Sequence, residues 1–219
     1  MIIQSFKFLK INSLHLVLLL FFFKTNGQSD NKINLGISLE NNLVKAKHLF
    51  ILSGQSNMVG LKPEESFTPI IEKKYGKEKI IIVKDAKGGQ PIRRWYNELE
   101  FDDNNLDDSI GNLYKSLIYK VRKAVINKKI KTVTFIWMQG ERDAREELAD
   151  YYEKSLIGLY NQLTNDLNYK KINFLIGRIS DFDLLNKKYK HWTRIRDIQV
   201  KVAESNMRFD WIDTDDLND

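Results

Sequence analysis

The chain has 219 residues, 42% of them apolar and 29% charged, with a formal charge of +6 and no cysteine. That composition fits one globular domain large enough for a sizeable core, and it excludes a disordered or fibrous chain. Without cysteine there is no disulfide framework and no lipid-modified cysteine, so packing alone must hold the fold.

In chain order, Lys7 and Lys10 precede an apolar block from Leu14 to Phe23, and Thr25-Asn26-Gly27 offers small residues at cleavage spacing. Residues 1–27 therefore read as a secretory signal peptide. The apolar block falls short of the roughly 20 residues that span a bilayer, which favours cleavage over a transmembrane anchor; an uncleaved signal anchor is the alternative. The expected location is secreted or periplasmic, with no stable membrane insertion after cleavage. Losing the leader removes Lys7, Lys10 and Lys24 and no acidic residue, taking the formal charge from +6 to +3. So balanced a chain makes no case for nucleic acid, and Lys128-Lys129 and Lys187-Lys188 read as solvated loop residues. Residues 28–46, polar and rich in asparagine, form a lead-in to a domain expected over 47–219.

Within that domain, short β-rich apolar runs occur at His48 to Leu52, Ile80 to Val83, Val133 to Trp137, Ile172 to Ile179 and Phe209 to Ile212. Each suits a strand buried on both faces. Between them lie stripes with helical spacing: Ile110, Leu113, Leu117 and Val121; then Leu148, Tyr152, Leu156, Leu159, Leu163 and Leu167; then Trp192, Ile195, Ile198 and Val202. Asp108-Ser109 offers an N-cap for the first of these helices. The acidic run Asp102 to Asp108 matches no calcium-loop spacing and reads as a solvated loop, and no metal site is expected. Strands alternating with helices imply an α/β fold, a three-layer α/β/α arrangement around a parallel sheet. In such sheets the functional residues lie just past the carboxyl ends of the strands.

Three blocks occupy those positions. Gly54-Gln55-Ser56-Asn57-Met58 follows the first strand and sets a serine where its hydroxyl can be exposed; such a serine is either a nucleophile or an ordinary loop residue. After the second strand, Gly88-Gly89 permits a positive φ and a close backbone approach to a ligand, as an oxyanion hole requires, and equally permits a plain turn. After the third, Gln139-Gly140-Glu141-Arg142-Asp143 brings a side-chain amide able to donate to a developing oxyanion. Its two carboxylates also suit a helix N-terminus.

Together, GQSNM, the GGxxIxxW loop of Gly88 to Trp95 and the WxQGExD block of Trp137 to Asp143 resemble the SGNH-hydrolase superfamily. Within it, they resemble the branch of sialate O-acetylesterase-like proteins and carbohydrate esterase family 6 acetylxylan esterases. Ile195-Arg196-Asp197-Ile198-Gln199 and Trp211 to Leu217 are similar to a helix and a final strand of that family, so the resemblance covers roughly Lys47 to Asp219. It implies a flavodoxin-like parallel sheet of about five strands and an esterase that removes O-acetyl groups from carbohydrate without a cofactor. By resemblance, Ser56 is the catalytic nucleophile. The backbone N–H groups of Ser56 and Gly89 and the side chain of Gln139 form the oxyanion hole. Asn57, Gly88, Glu141, Asp143, Arg196 and Gln199 lie near the site or behind it.

One part of the family pattern is missing. The resemblance implies a histidine base and its orienting aspartate in a D-x-x-H motif shortly after the last strand, and the sequence reaches Asp219 without one. Of the three histidines, His15 lies in the leader, His48 begins the first strand at the wrong end of the sheet, and His191 precedes the third helix as a remote substitute. A serine without a base stays protonated and weakly nucleophilic. The expectation is that the natural protein continues past Asp219, since everything upstream reads as a functional site. The alternatives are a catalytically silent glycan-binding or partner-binding protein on the same fold, and an esterase acting on non-sugar acyl groups.

Overall fold

The computed structural model describes residues 46–97 and 109–215. The expected leader, nearly all of the lead-in, and the acidic run lie outside the described residues. Five parallel strands, β1 (Lys47–Gly54), β2 (Ile80–Ala86), β3 (Ile130–Met138), β4 (Ile172–Gly177) and β5 (Phe209–Ile212), form one sheet in the order β2-β1-β3-β4-β5. Six α-helices accompany them among the described residues: α1 (Ser56–Gly60), α2 (Phe67–Tyr75), α3 (Asn112–Val125), α4 (Glu141–Arg145), α5 (Ala149–Asp166) and α6 (Trp192–Glu204). None of the helices is long and apolar enough to cross a membrane.

Alternation along the strands builds two cores. Leu49, Ile51, Val133, Phe135, Trp137, Phe174 and Ile176 point to one face, where Leu117 and Val121 of α3, Leu156, Leu159 and Leu163 of α5, and Ile195 and Val202 of α6 cover them. Phe50, Leu52, Ile136, Met138 and Leu175 point to the other, against Met58 of α1, Leu61, and Phe67 and Ile71 of α2. Each such fully buried side chain contributes about 1.5–3 kcal/mol of transfer free energy. The connection from β1 to β2 runs over one face, and those joining β2, β3, β4 and β5 run over the other. Strand order reverses at β1, so every crossover keeps the same hand and both faces are covered. This is the three-layer, flavodoxin-like architecture that the sequence implies.

Two local expectations change. The helix after the acidic run begins at Asn112, not beside Asp108-Ser109. Its N-cap is Gly111, with no side-chain cap, and the Gly111 N–H donates instead to the Arg93 carbonyl at 2.9 Å. That tie to the loop after β2, rather than a capping side chain, sets the helix start. Helix α2 has no counterpart in the sequence reading, because it buries only Phe67 and Ile71 and carries Pro69 in its first turn, where proline is tolerated.

Candidate active site

Reversal of strand order between β1 and β3 opens a crevice at their carboxyl ends, where ligands bind in open parallel sheets. Gly54 ends β1 in register with Ala86 on one side and Met138 on the other. Its φ is +141°, and a Cβ there would lie 2.0 Å from the Met138 carbonyl oxygen, so only glycine fits. The next N–H, of Gln55, donates to that same oxygen at 2.9 Å. This turn presents Ser56 as the first residue of α1, exposed to solvent, while Gln55 behind it is buried.

The loop after β2 lies alongside. Its Lys87 N–H donates to the Gly54 carbonyl at 3.0 Å. Gly88 and Gly89 form its exposed tip. Gly89 has a φ of +67° and open space on all sides, so it is backbone conformation, not crowding, that calls for glycine.

Gln139, just after β3, joins these loops. It is fully buried, and its Nε2 donates to the Gln90 carbonyl at 3.0 Å, to Gln55 Oε1 at 3.3 Å and to the Asp143 carboxyl. Gln139 therefore touches the residue before Ser56 and the residue after Gly89. Its two amide hydrogens already face three acceptors, so donation to a substrate oxygen requires it to give one of them up. The backbone oxygen of Gln139 accepts from Tyr152 Oη at 2.8 Å and from Gln199 Nε2 at 2.7 Å.

The two carboxylates of the block occupy the first turn of α4. Glu141 Oε1 accepts from Asn57 Nδ2 at 3.1 Å, linking the residue after Ser56 to α4. Its Oε2 is sealed from solvent with no donor. Asp143 is buried and accepts the Ile92 N–H at 3.0 Å as well as the Gln139 amide. Burial pushes both carboxyls up to about 7, in Asp143 against the opposing pull of those hydrogen bonds.

Arg196 and Gln199 do their work from behind. Gln199 Oε1 accepts the Ile179 N–H at 2.9 Å, and Arg196 grips Asp215 with two bonds of 2.7 and 2.9 Å while donating to the Ile179 carbonyl. The Arg196 bond holds the Asp215 carboxyl below its ordinary range. Neither described histidine joins Ser56. His48 sits at the amino end of β1, bonded to Thr132 Oγ1 at 2.7 Å, with its ring centroid 4.1 Å from that of Tyr75 and tilted against it. Six residue steps along the strand, about 20 Å, separate it from Gly54. His191 Nδ1 lies 3.2 Å from the Ala149 N–H at the start of α5, and its Nε2 lies 3.2 Å from Arg194. A neutral ring can accept at only one of these nitrogens.

A protein-family model described as carbohydrate esterase, sialic acid-specific acetylesterase, matches residues 59–219. The chain belongs to that family. Membership puts it among the carbohydrate acetylesterases, which are carboxylic ester hydrolases. The match begins at Val59, immediately after the GQSNM motif. Ser56 itself therefore lies outside the matched residues. No curated protein sequence matches the chain. Among solved structures, a protein from Arabidopsis thaliana is similar at 18% identity and a TM-score of 0.58, covering 77% of this chain and 85% of that one. A carbohydrate acetylesterase from Xanthomonas citri is similar at 21% identity and a TM-score of 0.53, covering 70% of this chain and 34% of its own, so the chain spans about a third of its length. At such identities the likeness is one of fold.

Three contributors escaped the sequence reading: the Gln55 side chain, the Tyr152 hydroxyl and Lys84. The first sits inside the motif, and its signal was there to be read. Tyr152 looks like a member of an apolar stripe. Lys84, whose Nζ donates to the Val59 carbonyl at 2.8 Å and to that of Leu61, looks like any lysine at a strand end.

Proposed function

We propose that the protein is an exported serine esterase that removes O-acetyl groups from carbohydrate through an acyl-serine intermediate. The observation that carries this reading is the exposed Ser56, held at the switch point of the sheet beside the Gly88-Gly89 loop. Ser56 Oγ attacks the acetyl carbonyl carbon, and the sugar hydroxyl leaves with a proton. Water then releases acetate and restores the serine. The N–H groups of Ser56 and Gly89, with the Gln139 amide, stabilise the oxyanion of each tetrahedral intermediate. Gln139 contributes by exchanging its longest bond, to Gln55 at 3.3 Å, for the substrate oxygen. In the family pattern the proton leaving Ser56 goes to the histidine of a D-x-x-H motif, which does not occur between the last strand and Asp219. Export rests on the leader over residues 1–27.

The test is hydrolysis of a chromogenic acetate ester by the full protein. Ser56→Ala lowers kcat by roughly 10⁴-fold or more in this reading; an unchanged rate removes Ser56 from the chemistry. One observation favours a second reading, a silent glycan-binding protein: both described histidines are engaged away from Ser56. Binding of an acetylated glycan without turnover establishes it.

A further inference from the structure

The peptide that joins Gly88 to Gly89 is gripped at one end. It is trans, so its carbonyl and its N–H lie in one plane and point opposite ways, and whatever holds the Gly88 oxygen also aims the Gly89 N–H. The backbone on either side is pinned. The Lys87 N–H donates to the Gly54 carbonyl at 3.0 Å, and the Gln90 carbonyl accepts from Gln139 Nε2 at 3.0 Å. Between those two bonds sit two glycines with open space where a Cβ would be, so neither crowding nor a side chain of their own stops the peptide from turning over. What opposes the turn is a hydrogen bond from Gln90 Nε2 to the Gly88 carbonyl at 3.0 Å.

The Gln90 amide is itself fixed from both ends. Its Oε1 accepts from Arg94 Nη1, part of a guanidinium that can only donate, and its Nε2 meets a carbonyl that can only accept. Arg94 in turn donates through Nε to Asn112 Oδ1 at 2.8 Å, at the start of α3. Three hydrogen bonds in series therefore run from α3 to the Gly88 oxygen. No backbone carbonyl among the described residues takes up the Gly89 N–H. Gln90 and Arg94 occupy open positions of the GGxxIxxW loop.

The geometry points to Gln90 as a positioning residue: its amide holds the Gly88 carbonyl and, through the shared peptide plane, sets the direction of the Gly89 N–H that donates to the oxyanion. This deepens the esterase reading and rests on it. Gln90 acts through the Gly88–Gly89 peptide, not on the reacting atoms.

The test compares the full wild-type protein with Gln90→Met and Gln90→Glu. Methionine keeps the length of the side chain, donates nothing and adds no charge. Glutamate keeps the bond from Arg94 but sets an acceptor against the Gly88 oxygen, which favours the turned-over peptide with the Gly89 N–H facing the carboxylate. Removing one oxyanion donor costs about 10²–10³ in kcat; Gln90→Met is expected to lose about tenfold and Gln90→Glu about 10²-fold, both with KM and melting temperature little changed. Unchanged kcat in Gln90→Met, or kcat and melting temperature falling together, overturns the proposal. A readout independent of turnover is the crystal structure of Gln90→Glu beside that of wild type. A Gly88 carbonyl turned away from residue 90 supports the grip, and one left in place overturns it. If Ser56→Ala leaves hydrolysis unchanged the esterase reading fails, and the two crystal structures still decide whether Gln90 holds the peptide.

Discussion

At the scale of single residues, much of the candidate site depends on atoms that cannot be moved by a few tenths of an ångström. Gly54 is the clearest case. Gly54→Ala forces a Cβ onto the Met138 carbonyl and a side chain into a positive φ, and is expected to destabilise by about 3 kcal/mol or more in denaturant titration while displacing Ser56. The titrating residues give opposite signs. His48 is held below its ordinary 6.5, first by burial and then by Lys131 and Lys79, so the unfolded chain binds the extra proton and stability is lost as pH falls below 6.5. Glu141 and Asp143 are raised from 4.5 and 3.8 to about 7, so the folded state binds the extra protons and stability falls as pH rises through that window. Melting temperature against pH checks both: His48→Asn flattens the acid-side loss, and Glu141→Gln with Asp143→Asn flattens the fall toward neutrality.

At the scale of elements, the inner strands β1, β3 and β4 were legible because burial on both faces requires near-continuous apolar runs. The edge strands β2 and β5 carry the same kind of run but are largely half-buried, not buried on both faces as expected. The three long helices were legible because each lays one stripe on the sheet. Helix α2 was not, since two buried residues around a proline make no stripe. The hub role of Gln139 was equally hidden. Its partners come from the loops after β1 and β2 and from α4, and they become neighbours only once β1, β2 and β3 are in register. The residue types of the site could be read from the sequence, but not which of them hold the others. Lys84 shows the consequence for α1, the short helix that carries Ser56. Its ammonium, desolvated and therefore shifted down, gathers the carbonyls of Val59 and Leu61 at the carboxyl end of that helix. Lys84→Met is expected to cost about 1–2 kcal/mol and to speed amide exchange in α1 ahead of the rest of the fold.

At the scale of the whole molecule, a doubly wound sheet brings the loops after β1, β2 and β3 into one crevice and leaves β4 and β5 to brace it. The brace runs through Arg196 of α6, which is buried and paired with Asp215 just beyond β5, and through Arg178, which reaches Asp213 at 2.6 Å and Asp215 at 2.8 Å. Asp215→Ala leaves the buried guanidinium of Arg196 without its carboxylate and is expected to cost about 3 kcal/mol in denaturant titration, loosening α6 against the sheet. The proposed acyl-serine draws on the GQSNM motif and on the position of Ser56 at the switch point of the sheet. Incubating the full protein with an acetate ester, quenching in acid and sequencing its peptides by mass spectrometry tests this most directly. A single acetyl group on Ser56, absent from Ser56→Ala, is the predicted result. Steady turnover with no acetyl on Ser56, or the same acetylation pattern in Ser56→Ala, would contradict it.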